Sequence, residues 1–74
     1  MPRAVSIYTP EGVPLVAVSL LAPDAVGRVL AEAERRAYRV RIQPMLIATM
    51  EINPGNRPLS VEFLESAGVE VTND

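Results

Sequence analysis

The stretch from Pro23 to Gln43 changes its hydrophobic period part-way along, and that change constrains the fold more than any other feature of the chain. Val26, Val29, Leu30, Ala33 and Ala37 recur at i, i+3, i+4, i+7 and i+11, which is one face of an α-helix. From Tyr38 the period falls to two: Tyr38, Val40 and Ile42 alternate with Arg39, Arg41 and Gln43. A long amphipathic helix therefore runs directly into a strand with one apolar and one cationic face. Pro23 fits the first helical position, where a missing N–H costs nothing, and Asp24 complements the positive end of the helix dipole. Glu32 precedes Arg36 by four residues, the favourable order for a helical ion pair.

The residues before this stretch read as a hairpin. Arg3 to Thr9 alternates, with Val5 and Ile7 on one face and Ala4, Ser6 and Tyr8 on the other. Thr9-Pro10-Glu11-Gly12 is a turn, with Gly12 free to take positive φ. Leu15 to Leu21 is the second strand, placing Val16, Val18 and Leu20 opposite Leu15, Ala17 and Ser19.

The residues after it read as more sheet and a short helix. Pro44 ends the third strand. Met45 to Ile52 is expected to be a fourth strand, with Leu46, Ala48, Met50 and Ile52 opposite Met45, Ile47, Thr49 and Glu51. Two apolar faces suggest a central strand or one covered by a second subunit. Asn53-Pro54-Gly55-Asn56 has the Pro and Gly placement of a type II turn. A helix over Val61–Ala67 follows, with Ser60 as its expected N-cap, Leu59 and Leu64 as a hydrophobic staple, and Gly68 as the left-handed residue past its end. Val69 to Val71 is expected to form a last short strand, and Thr72 to Asp74 to fray.

The 74 residues make a single α+β domain, 1–74, of order ββαββαβ. Two architectures accommodate that order. The terminal strand, short turn, second strand and Pro-Asp helix start resemble ubiquitin-like β-grasp domains, as does the segment from Arg57 to Val69 leading into a last strand. That resemblance implies one main helix across a mixed sheet and a role in binding other proteins. Conjugated members end in Gly-Gly, whereas this chain ends Val-Thr-Asn-Asp, so conjugation is not expected. The alternative is a ferredoxin-like βαββαβ unit with an extra N-terminal strand. There, Ala22 to Gly27 loosely resembles the turn of small-ligand-sensing ACT domains, which would put an amino-acid site near Asp24 and Gly27, although the usual Asp-x-Pro-Gly order is not kept.

Composition narrows the chemistry. There is no Cys, hence no disulfide, thiolate metal site or cysteine nucleophile, and a small domain without disulfides is expected to be cytoplasmic. There is no His, which removes the usual base near neutral pH and the commonest metal ligand. Every cation is Arg, so no Schiff-base lysine exists. Glu62 and Glu65 lie one helical turn apart, a spacing that fits a solvated helix face as readily as an acid–base pair. The expectation is a non-enzymatic chain with no cofactor or metal. The start of the chain lacks the pattern of a signal peptide, and no apolar run reaches the roughly 20 residues of a membrane span.

Two surfaces remain as partner-binding candidates. Six Arg face four acids over residues 1–41, whereas one Arg faces five acids over 42–74. Arg35, Arg36, Arg39 and Arg41 cluster where helix passes to strand, suited to an acidic protein surface or to the chain's own acidic C-terminal half. A net charge of −2, and the placement of Tyr38 opposite Arg39 and Arg41, argue against nucleic acid. Leu15, Ala17, Met45 and Ile47 would form an apolar patch on the sheet face away from the helix, a surface suited to a homodimer or another protein. The functional expectation is a protein–protein interaction module or small regulatory subunit. A ligand sensor is the alternative, and nucleic-acid binding through the Arg cluster ranks below both.

Overall fold

The computed structural model describes residues 2–44 and 50–71. Strand β1 (Arg3–Tyr8) turns into β2 (Pro14–Ser19), helix α1 (Pro23–Arg35) leads to β3 (Arg39–Pro44), and β4 (Met50–Ile52) leads through a single 3-10 turn (Pro54–Asn56) into α2 (Arg57–Ser66). The sheet order is β3-β1-β2-β4, and every described pairing is antiparallel. Since β2 and β3 both run against β1, α1 connects two strands of like direction across the strand between them.

The turns form where the local chemistry sets them. Gly12 has φ +89, and its N–H donates to the Thr9 carbonyl at 2.8 Å, while the buried Thr9 hydroxyl accepts from the Val13 N–H. Pro23 opens α1 without a side-chain cap. Both helices then close with the same hydrogen-bond pair. After α1, the Tyr38 and Ala37 N–H groups donate to the carbonyls of Ala33 and Glu34. After α2, the Val69 and Gly68 N–H groups donate to those of Leu64 and Glu65. The left-handed residue is Gly68 (φ +78) in one case and Ala37 (φ +55) in the other.

The core lies on one side of the sheet. Val5, Ile7, Val16 and Val18 face Val29 and Ala33 of α1 and Phe63 and Leu64 of α2, all buried. Burial of a side chain such as Phe63 contributes about 1.5–3 kcal/mol. Both helices thus cover the same face.

Several expectations need correction. The sheet is antiparallel rather than mixed: β1 already has β2 and β3 on its two sides, which leaves no place beside it for a parallel last strand. Residues 69–71 accordingly form no strand, and Val69 and Val71 pack against the core instead. A ferredoxin-like unit would place β4 between β2 and β3, whereas β1 occupies that position and β4 lies on the far side of β2. Among the described strands β4 is an edge rather than a central strand, and the expected Met45–Thr49 portion lies outside the described residues, as does Thr72 to Asp74.

Asn53 to Asn56 is not a type II turn. Gly55 does not take positive φ, and the Asn53 side chain caps a 3-10 turn by accepting from the Gly55 N–H. Helix α2 begins at Arg57, so Ser60 is an interior residue and Asn56 occupies the cap. Within α1 the buried face comprises Val29, Glu32 and Ala33, with Leu30 exposed and Ala37 beyond the helix end. Glu32 turns inward because two arginines hold its carboxylate.

Candidate functional site: the open face of the sheet

The register of the strands builds this face. Arg41, Ser6, Ala17 and Glu51 pair in sequence across β3, β1, β2 and β4, forming one transverse row. Beside it, Arg39 pairs with Tyr8, and Gln43 pairs with Ala4. Strand alternation sends these side chains away from both helices. The row therefore carries a cation at one edge, two small side chains in the middle and an acid at the other edge.

Ser6 is buried, and its hydroxyl accepts from the Gln43 side-chain amide at 2.7 Å. A shallow concavity of about 250 Å³ opens above it, lined by Ser6, Tyr8, Ala17, Gln43, Glu51 and Asn53 among others. The Asn53 amide is fixed by donating to the Pro14 carbonyl at 2.8 Å. Small side chains on the floor and polar ones on the walls suit a contact with backbone or with a polar side chain rather than an enclosed ligand.

The four arginines of the expected cluster divide between two roles. Arg36 is committed to ion pairs within the fold. Its Nε donates to Glu32 Oε2 at 2.6 Å, and its two terminal nitrogens grip Glu62 at 2.8 and 2.6 Å. Its guanidinium carbon lies 5.8 Å from the Tyr38 ring centroid and 5.5 Å from that of Phe63, within cation–π range. Those two rings stack at 5.7 Å. The Glu62 fork holds Arg36 protonated even more firmly than usual. Arg36 in turn, with help from the Ser66 hydroxyl, lowers the Glu62 carboxyl to about 2. Arg35 stays in the helix layer, exposed and paired with Glu32. Arg39 and Arg41 alone stand on the open face, and neither has an ion-pair partner among the described residues.

The expected apolar patch is not assembled as the alternation implied. The pairing shifts between Ile7 and Tyr8, so that Ile7 faces Val16 and Tyr8 faces Pro14. Leu15 is the extra residue of this bulge, and it is fully buried in the core with Phe63 and Leu64. Ala17 is on the open face, half-buried. Met45 and Ile47 lie outside the described residues. The structure thus brings together Ala17, Arg39 and Arg41 and adds Tyr8, Ser6, Gln43 and Glu51, which sequence reasoning did not select. Tyr38 is directed into the core, as its alternation with Arg39 implied.

Asp24 and Gly27 are exposed in the first two turns of α1, with open space around Gly27. Among the described residues no group of three or more acidic side chains is gathered as for a metal ion, and no helix is long and apolar enough to cross a membrane. No protein-family model matches the chain, and neither a curated protein nor a solved structure shows a significant match to it.

Proposed function

We propose that this protein is a non-enzymatic interaction module that engages an acidic region of another protein through Arg39 and Arg41 on the open face of its sheet. One observation carries the reading: both helices cover one face, while the other holds two arginines with no described ion-pair partner beside a floor of small side chains. Arg36, by contrast, is satisfied internally and contributes to stability. Within this reading, the hairpin and crossing helix are the parts that support a β-grasp relation, and the remaining strands support only the α+β class.

The test is a capture experiment from the native host with the wild-type chain and the R39A/R41A variant. A protein retained by the wild type and lost by the variant supports the module. Equal retention by both sinks the role of this arginine pair.

A second reading, single-stranded nucleic acid, is favoured by Tyr8, which lies directly across from Arg39 and so sets an aromatic ring among the cations. The net charge of −2 weighs against it, because nucleic-acid binders ordinarily present a basic footprint.

A further inference from the structure

The outer edge of β3 carries more information than its exposed side chains. The Leu20 N–H donates to the Arg3 carbonyl at 2.9 Å, so the backbone groups of Arg3 point toward the β2 side. In an antiparallel ladder the direction alternates from residue to residue. Ala4, Ser6 and Tyr8 therefore turn their backbone groups toward β3, where they meet Gln43, Arg41 and Arg39. By the same alternation, the N–H and C=O groups of Val40 and Ile42 point outward, away from the sheet. Strand β1 is the only hydrogen-bonded neighbour of β3 among the described residues. Pro44 shares the outward phase, at a position where its missing N–H breaks no ladder bond.

The side chains match this edge. Val40 is 42% exposed and Ile42 54% exposed on the helix side of the sheet, while Arg39 and Arg41 stand on the open side. We infer that β3 is a docking edge for an extended segment of another protein in which acidic and apolar residues alternate. The inference rests on the interaction-module reading above and names the partner's chemistry. Main-chain hydrogen bonds to Val40 and Ile42 supply register-independent affinity. Apolar side chains opposite Val40 and Ile42 cover their exposed surface, and carboxylates opposite Arg39 and Arg41 fix the register.

A second copy of this chain fits the edge poorly. An antiparallel β3–β3 pairing that sets Val40 against Ile42 of the other copy puts Arg41 directly opposite Arg41. Like charges in that position are destabilising. The same arginines that admit an acidic strand thus discourage edge-to-edge self-association.

The test uses an N-acetylated, C-amidated peptide, Glu-Val-Glu-Val-Glu, with a Val-Val-Glu-Glu-Glu peptide of identical composition and a Lys-Val-Lys-Val-Lys peptide as controls. Amide exchange and NMR shifts of the full chain provide the readout. The alternating acidic peptide is expected to bind weakly, with Kd on the order of 0.1–1 mM, and to slow exchange of the Val40 and Ile42 N–H groups. The R39E/R41E variant should lose about tenfold or more in affinity for it and prefer the lysine peptide. Equal binding of the blocked-order peptide, or shifts confined to Ser6 and Ala17, overturns the edge assignment. So does binding of a short oligothymidylate where the acidic peptide does not bind. If R39A/R41A loses a captured partner while Val40 and Ile42 exchange remains unprotected by that partner, the edge inference fails and the module reading stands.

Discussion

The guanidinium of Arg36 and the carboxylate of Glu62 meet at two points, 2.8 and 2.6 Å apart, although the residues are 26 positions apart in the chain. The fork joins the end of α1 to the middle of α2. It also leaves the remaining Arg36 nitrogen free to hold Glu32, which is only 4% exposed. One side chain therefore fixes the angle between the two helices that cover the core and neutralises a buried acid.

Arg36→Ala should be the most damaging of the arginine substitutions. It strands the Glu32 carboxylate with only the exposed Arg35, and removes the cation from the Tyr38–Phe63 pair. Breaking a fully buried pair costs roughly 3–5 kcal/mol, and the partial exposure here reduces that to about 2–3 kcal/mol. R39A/R41A, which touches neither the core nor an ion pair among the described residues, should stay within about 0.5 kcal/mol of the wild type. Urea unfolding of the two variants reads this difference directly, and a comparable loss in both would remove the distinction between structural and surface arginines.

The pH dependence of stability should carry the mark of Glu62. Its carboxyl is lowered from the ordinary 4.5 to about 2, chiefly by the Arg36 fork and then by the Ser66 hydroxyl. A group whose folded pKa is depressed contributes stability that is fully present above its unfolded value and is lost as pH falls through the folded one. The wild type should therefore melt higher than E62Q at pH 6, with the gap shrinking between about pH 4.5 and 2. A gap that stays constant across that range would show that the Arg36 contact does not depend on the charge of Glu62.

What the sequence made legible was local. Pro23 and Asp24 mark the start of α1, the period changes at Tyr38, and Gly12 and Gly68 occupy left-handed positions; each signal acts within a few residues. What escaped it depended on register or on distant partners. Leu15 left the open face because one extra residue in β2 rotates it into the core, and nothing in Leu-Val-Ala-Val announces a bulge. The Glu32–Arg36 pair was legible from its spacing of four, whereas the fork from Arg36 to Glu62 depends on the packing of α2. Tyr8 joined the site because β3 pairs with β1, and Glu51 because β4 pairs with β2, an order that strand patterns do not encode. The start of α2 was the exception: Pro58 in its first turn was a usable signal, and the more familiar cap at Ser60 obscured it.

The two helix ends allow a paired comparison. Ala37 holds φ +55 at the same position of the same hydrogen-bond motif that Gly68 occupies with φ +78. A Cβ is disfavoured in that region, whereas glycine enters it freely. Ala37→Gly should stabilise the chain by about 0.5–1 kcal/mol, the gain being reduced by glycine's larger unfolded-state entropy. Gly68→Ala should destabilise it by about 1 kcal/mol. The added methyl would also meet Arg28 Nη1 at 3.0 Å, but that is the far end of a flexible side chain, so the backbone effect decides the sign. Opposite shifts in melting temperature are expected, and shifts of the same sign would show that the two ends are not equivalent.

Ser60 is fully buried in α2, and its hydroxyl donates to the Leu15 carbonyl at 2.9 Å, tying the helix to the bulge in β2. The size of the loss in Ser60→Ala depends on what that carbonyl keeps. It also accepts from the Asn53 N–H at 2.9 Å, so removal of the hydroxyl leaves no unsatisfied buried acceptor. The cost should therefore be that of one hydrogen bond, about 1 kcal/mol, rather than the larger penalty of an orphaned group. Removing the Asn53 side chain as well should expose the difference. N53A loses the amide that anchors this loop to Pro14, which loosens the loop that supplies the second donor. The S60A/N53A pair should accordingly cost more than the sum of the single variants by at least about 0.5 kcal/mol. Strict additivity in denaturant unfolding would show that the Leu15 carbonyl is held by the two donors independently.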